Sequence, residues 1–375
     1  MKPARGDFAA WNRLADEHLR LLGATGDRAH LTSATEAVTR SLTLACVERN
    51  RGALALRIGI ELAQHRFEEA RHSAHRLREL LPESWYPRLC LGDALFNLGE
   101  YAAADGAWNE ALAMEGSSLA IEPRLAQLDV VHGRLERARE RLAQALELAR
   151  ASASPLPDAV VSCHLRLGEL AFKTGNWETA QAQYEAALSF QPEDYGSIER
   201  LAELRGAQGR IGEAATLYTR LIERTGRPEL MQALGDLHAF AGRADDARRW
   251  HDRAEAAYHE SIGRGEVSCF HHLAGFYADS REEPEKAVEW ARRDLALRRG
   301  IHAYDALAWA LYRAGKLDEA RDAIARALTT GTRDAHILHH AGLIRMSAGD
   351  VPGGRAALKA AFAANPRHHA FHVHR

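Results

Sequence analysis

The chain has 375 residues, with 49 Lys and Arg against 51 Asp and Glu, giving a formal net charge of −2 at neutral pH. So even a balance creates no strong field and argues against a nucleic-acid or anionic-lipid partner. The stretch Met1 to Trp11 carries Lys2, Arg5 and Asp7 without an apolar run, and no later run is long enough to span a bilayer; a cytoplasmic protein is expected.

In chain order, residues 1–50 read as a degenerate capping pair of helices, about Asp7 to Leu22 and Leu31 to Cys46, broken at Gly23 to Asp27. Nine segments in one register follow, beginning near Arg51, Trp85, Leu119, Val161, Tyr195, Pro228, Val267, Ile301 and Ala335. Successive starts lie 34, 34, 42, 34, 33, 39, 34 and 34 residues apart. The 42 holds an insert at Ser152, Ser154, Pro155 and Pro157, which reads as a loop. The 39 follows Ala244 to Ile262, a run without Gly or Pro that predicts an over-long second helix. After Asn365-Pro366, residues 367–375 form a histidine-rich tail.

The copy from Val161 shows the pattern most fully: Leu167-Gly168, Gly175, Trp177, Ala180, Tyr184, Ala187-Leu188 and Pro192 occupy positions 7, 8, 15, 17, 20, 24, 27, 28 and 32. The copies from Trp85 (Leu91-Gly92, Gly99, Tyr101, Ala104, Trp108, Ala111-Leu112) and Ile301 (Leu307-Ala308, Gly315, Leu317, Ala320, Ile324, Ala327-Leu328) agree without a gap. This pattern resembles the tetratricopeptide repeat. The final copies also resemble the carboxyl-terminal repeats of long bacterial tetratricopeptide proteins of unassigned function. The resemblance implies an all-α, right-handed solenoid of about nine helix pairs over residues 51–366, with a concave inner face.

The physical logic is one of size. Small residues at positions 8 and 20 leave no bulk where the two helices of a pair cross, so the axes approach to about 8–10 Å. Trp108, Tyr184, Tyr218 and Leu358 at position 24 fill the space between pairs. A lone pair cannot bury its apolar face, so neighbours stack into a continuous core. The four cysteines, Cys46, Cys90, Cys163 and Cys269, lie within predicted helices without Cys-x-x-Cys spacing, as expected of buried free thiols. No phosphate loop, nucleophile elbow or His-Glu-x-x-His motif is present, so the reading is a binding scaffold rather than an enzyme, with no cofactor.

At about 100° per residue, positions 2, 6, 9 and 13 of each first helix share one face, flanked by position 5. In the family, ligands contact this face. Position 9 supplies an acidic line, Asp93, Glu169, Glu203 and Asp236; position 6 sets Arg124, Arg166 and Arg200 beside it. Arg166 with Glu169 and Arg200 with Glu203 are i, i+3 pairs common on solvated helices. The alternative is that these charges clamp a partner protein or peptide. In the last repeats the same face carries Trp309, Tyr312, Arg313, His336 and His340, suited to an aromatic or terminal group. Position 5 reads His271, Asp305, His339, two imidazoles and a carboxylate, a ligand set for zinc, iron or copper in a metal-binding protein or metal-dependent enzyme.

Overall fold

The computed structural model describes residues 7–151 and 157–368. Among them the regular structure is helical throughout. It opens with α1 (Phe8–Thr25) and α2 (Ala29–Leu44), then α3 (Arg51–Ala63), α4 (Phe67–Leu80), α5 (Tyr86–Asn97), α6 (Tyr101–Glu115) and α7 (Glu122–Val131). It continues with α8 (Leu135–Ala151), α9 (Pro157–Lys173), α10 (Trp177–Phe190), α11 (Tyr195–Ala207), α12 (Ile211–Thr225), α13 (Pro228–Phe240) and α14 (Ala244–Gly263). Last come α15 (Phe270–Gly275), α16 (Pro284–Leu297), α17 (Ile301–Arg313), α18 (Leu317–Ala327), α19 (Ala335–Ser347) and α20 (Val351–Ala364). Within each unit most helices pack on the next, and first helices also touch one another directly, as α1 on α3, α9 on α11 and α17 on α19. This is an α-solenoid of helix pairs.

Two compact units divide the chain, Met1–Leu125 and Ala126–Arg375. Within each, the size rule operates as anticipated. A β-carbon placed on Gly92 would stand 2.3 Å from the Trp108 ring, and one on Gly168 would stand 2.3 Å from Tyr184. Trp108, Tyr184 and Tyr218 are fully buried. The over-long helix is α14, at 20 residues. The insert between α8 and α9 and most of the tail lie outside the described residues. Cys90, Cys163 and Cys269 are buried free thiols, but Cys46 lies past the end of α2 and is exposed, and Cys269 precedes α15 rather than lying within it. The register expected α2 to run two residues further than it does.

Position 15 ends each first helix in the left-handed region, as at Gly175 with φ +78°. Two repeats lack a glycine there, and His65 (φ +58°) and Glu282 (φ +55°) bear the strain. Glu282 sits one place late because α15 passes into a π-helical segment, Phe276–Ser280, that inserts an extra residue. Glu282→Gly should stabilise the second unit by about 0.5–1 kcal/mol, the strain relieved less the added freedom of the unfolded chain. A urea midpoint that stays put or falls would show the turn to be unstrained.

The second unit also closes on itself. Thr330 donates its hydroxyl to the Val131 carbonyl at 2.8 Å, Lys173 donates to Asp334 at 3.0 Å, and Arg367 reaches Glu178 at 2.9 Å. Gly175 is needed there twice over, because a β-carbon would fall 2.6 Å from the Asn365 side chain. The first-helix face of this unit is therefore bounded by its own chain.

Candidate ligand site on the first-helix face

Charges on this face are spent on bridges between successive repeats. Arg124 donates from Nε and Nη2 to both carboxylate oxygens of Asp93, at 2.5 and 2.7 Å, and the Trp108 indole N–H points at the same group from 3.2 Å. Arg200 donates to Glu169 at 2.9 Å and to Glu203 at 3.4 Å. Asp236 accepts from Ser280 at 2.8 Å and lies 2.9 Å from His251 Nε2. Position 6 of one repeat thus meets position 9 of the repeat before it. Each acid of the line has a hydrogen-bond partner within the chain. Arg166 is half-buried on the same face.

The same rule builds an aromatic shelf at the other end. His340 stacks flat on Trp309, with centroids 4.1 Å apart and planes at 7°. Tyr312 tilts against Trp309, with centroids 5.2 Å apart. Asp279, carried outward by the π-helical segment, accepts from the Trp309 indole at 3.0 Å and from Arg313 at 2.8 Å. No feature of the sequence pattern identified Asp279, because the extra residue that aims it breaks the repeat register.

The expected convergence of His271, Asp305 and His339 does not form. His271 faces Asp294 of α16 at 3.5 Å, and the His339 ring lies 5.4 Å from that of His368. Asp305 instead meets His340, whose Nδ1 lies 3.0 and 3.1 Å from its two oxygens, and His336, whose Nε2 is 3.8 Å away. Adjacent first helices are offset, so equal position numbers do not face each other; position 5 looks at positions 2 and 6 of the next repeat.

Burial pushes Asp305 up to about 6, although the nearby imidazoles oppose the shift. Burial likewise pushes His340 down to about 3, reinforced by His339 and His368. Asp334, which caps α19 by accepting from the His336 amide at 3.0 Å, is held well below the usual carboxylate range; burial opposes this, but Lys173 outweighs it. At neutral pH His340 is therefore a neutral ring beside the Asp305 carboxyl.

Tetratricopeptide-repeat family profiles match residues 60–119 and 301–333. Cellulose synthase operon protein C of Xanthomonas axonopodis pv. citri (strain 306) is 30% identical over 258 residues, which are 68% of this chain and 14% of that protein. The chain thus spans a small part of that relative's length. Among solved structures, YrrB, described as a TPR protein with an unusual peptide-binding site, matches 49% of this chain and 91% of its own at 16% identity and a TM-score of 0.34. Among the described residues no helix is long and apolar enough to cross a membrane. With two profile matches lying in the register that its glycines, alanines and buried aromatics define, the chain belongs to the tetratricopeptide repeat family.

Proposed function

We propose that the protein is an interaction scaffold that holds a partner protein or peptide on the first-helix face of its second unit, anchored at the shelf of Trp309, Tyr312 and His340. The observation that carries this reading is the contrast along the face. Arg124 and Arg200 are bound to carboxylates of neighbouring repeats, whereas Trp309 and Tyr312 keep part of their ring surface open. A rigid aromatic surface gives contact area at low entropic cost, and such residues dominate binding energies. Arg313, with its guanidinium 5.9 Å from the Trp309 ring, is itself held by Asp279 at 2.8 Å and borders the shelf. On this reading the anchor lies among the last repeats and the acidic line has a structural task.

A peptide-display selection against the full chain tests it. Peptides enriched on the wild type should lose at least about tenfold in affinity for Trp309→Ala, about 1.4 kcal/mol or more. The charge reversals Glu169→Lys and Glu203→Lys should instead reduce stability before they alter the peptides selected. Selection of the same peptides with unchanged affinity by Trp309→Ala would move the binding surface elsewhere.

A further inference from the structure

The geometry points to a divalent transition-metal site of the zinc class built from Asp305, His336 and His340, which shares His340 with the shelf above but rests on different observations. A ligand atom from each residue lies within 4.8 Å of those of the other two. Three donors of a tetrahedral zinc with bonds of 2.0–2.1 Å stand about 3.3 Å apart. The observed separations from Asp305 Oδ2, 3.1 Å to His340 Nδ1 and 3.8 Å to His336 Nε2, bracket that value. Two imidazoles and a carboxylate leave a fourth position open, as in catalytic zinc sites.

A comparison within the chain sets the cluster apart from several other buried acids. Asp129 is matched by Arg134 at 2.5 Å and Arg141 at 3.1 Å, Asp294 by Arg298 at 2.9 Å and Glu61 by Arg57 at 2.8 Å, while buried Asp194 caps a helix through the Ser197 amide. Asp305, with its side chain 7% exposed, has imidazoles as its partners, and no arginine or lysine pairs with it among the described residues. A buried carboxylate so placed has no permanent cation paired with it among the described residues. A divalent ion would supply it, and burial of the acid in the metal-free chain raises the energy that binding recovers.

The surroundings fit the assignment. His340 is held in plane by the Trp309 stack, and the His336 ring packs edge-on against His340 with centroids 4.0 Å apart. For His340 to ligate through Nδ1 its proton moves to Nε2, a change of tautomer in a neutral ring that needs no net release. The His368 ring, 5.9 Å from that of His336, lies at the edge of the site.

The test uses full-length protein stripped with chelator and titrated with Zn²⁺ by calorimetry, then with Co²⁺ to read the visible bands of a low-coordinate ion. One ion per chain is expected, with affinity reduced at least about tenfold in Asp305→Asn and in His336→Gln. His271→Gln and a chain with His369, His372 and His374 all changed to alanine should bind as the wild type does. Wild-type affinity in both site variants, or loss of binding in the tail variant alone, overturns the assignment. Circular dichroism on each variant separates loss of the ion from loss of the fold; should Asp305→Asn unfold, the half-buried His336→Gln decides.

Discussion

Trp108→Ala should lower the stability of the first unit by about 3–5 kcal/mol, the range for truncating a large buried aromatic. The ring is 1% exposed, and its indole N–H is 3.2 Å from the Leu89 carbonyl and from Asp93. It also occupies the space that Gly92 leaves, so large and small residue are two halves of one contact. Gly92→Val alone should cost a comparable amount, because a β-carbon 2.3 Å from the ring forces it out. The double variant should cost less than the sum, with a coupling of about 1–3 kcal/mol measured by urea unfolding. Strict additivity would mean that residue sizes at positions 8 and 24 are read independently.

That pairing explains why the fold was legible in the sequence. Gly92 with Trp108 and Gly168 with Tyr184 recur at fixed distance, since contacts within one hairpin depend on local geometry alone. The site was legible only in part, because it depends on the offset between hairpins. Trp309, His340 and Asp305 were recognised as neighbours on one face, but equal position numbers were taken to face one another, which misplaced His271 and His339. A sharper signal was present: Asp93 to Arg124 and Glu169 to Arg200 are both 31 residues apart, as are Trp309 and His340. That spacing is three short of the repeat and encodes the offset. The seam joining Lys173 to Asp334, 161 residues on, was beyond reach, because it sums small rotations over several repeats. The π-helical turn at Phe276–Ser280 was hidden for the opposite reason, a single extra residue absorbed without changing the 34-residue spacing to Ile301.

Arg227→Ala should destabilise the second unit by about 3–5 kcal/mol at neutral pH, because it strands a buried carboxylate. Glu229, with a side chain 11% exposed, accepts from Arg227 Nε at 2.6 Å, while the same guanidinium lies 4.9 Å over the Tyr195 ring. Burial by itself would raise Glu229, but Arg227 and then His272 overcome it and hold the acid at about 2, below its ordinary 4.5. Burial pushes His272 down to about 3, so that ring is neutral near pH 7 and cannot take over from the arginine. A carboxylate depressed on folding contributes stability that is complete above pH 4.5 and lost as the pH falls through about 2. In the wild type this pair should therefore weaken the fold only in strong acid. In Arg227→Ala the penalty should shrink as Glu229 takes up a proton, so the difference between the two proteins is greatest at neutral pH and narrows steadily below pH 5. Thermal unfolding of both proteins from pH 7 to pH 3 measures this convergence. A stability difference that stays constant across the range would assign the loss to the Tyr195 contact rather than to Glu229. A variant as stable as the wild type at pH 7 would leave Arg227 and Glu229 as groups for a ligand, and the middle of the first-helix face would then join the shelf at Trp309 as part of the binding surface.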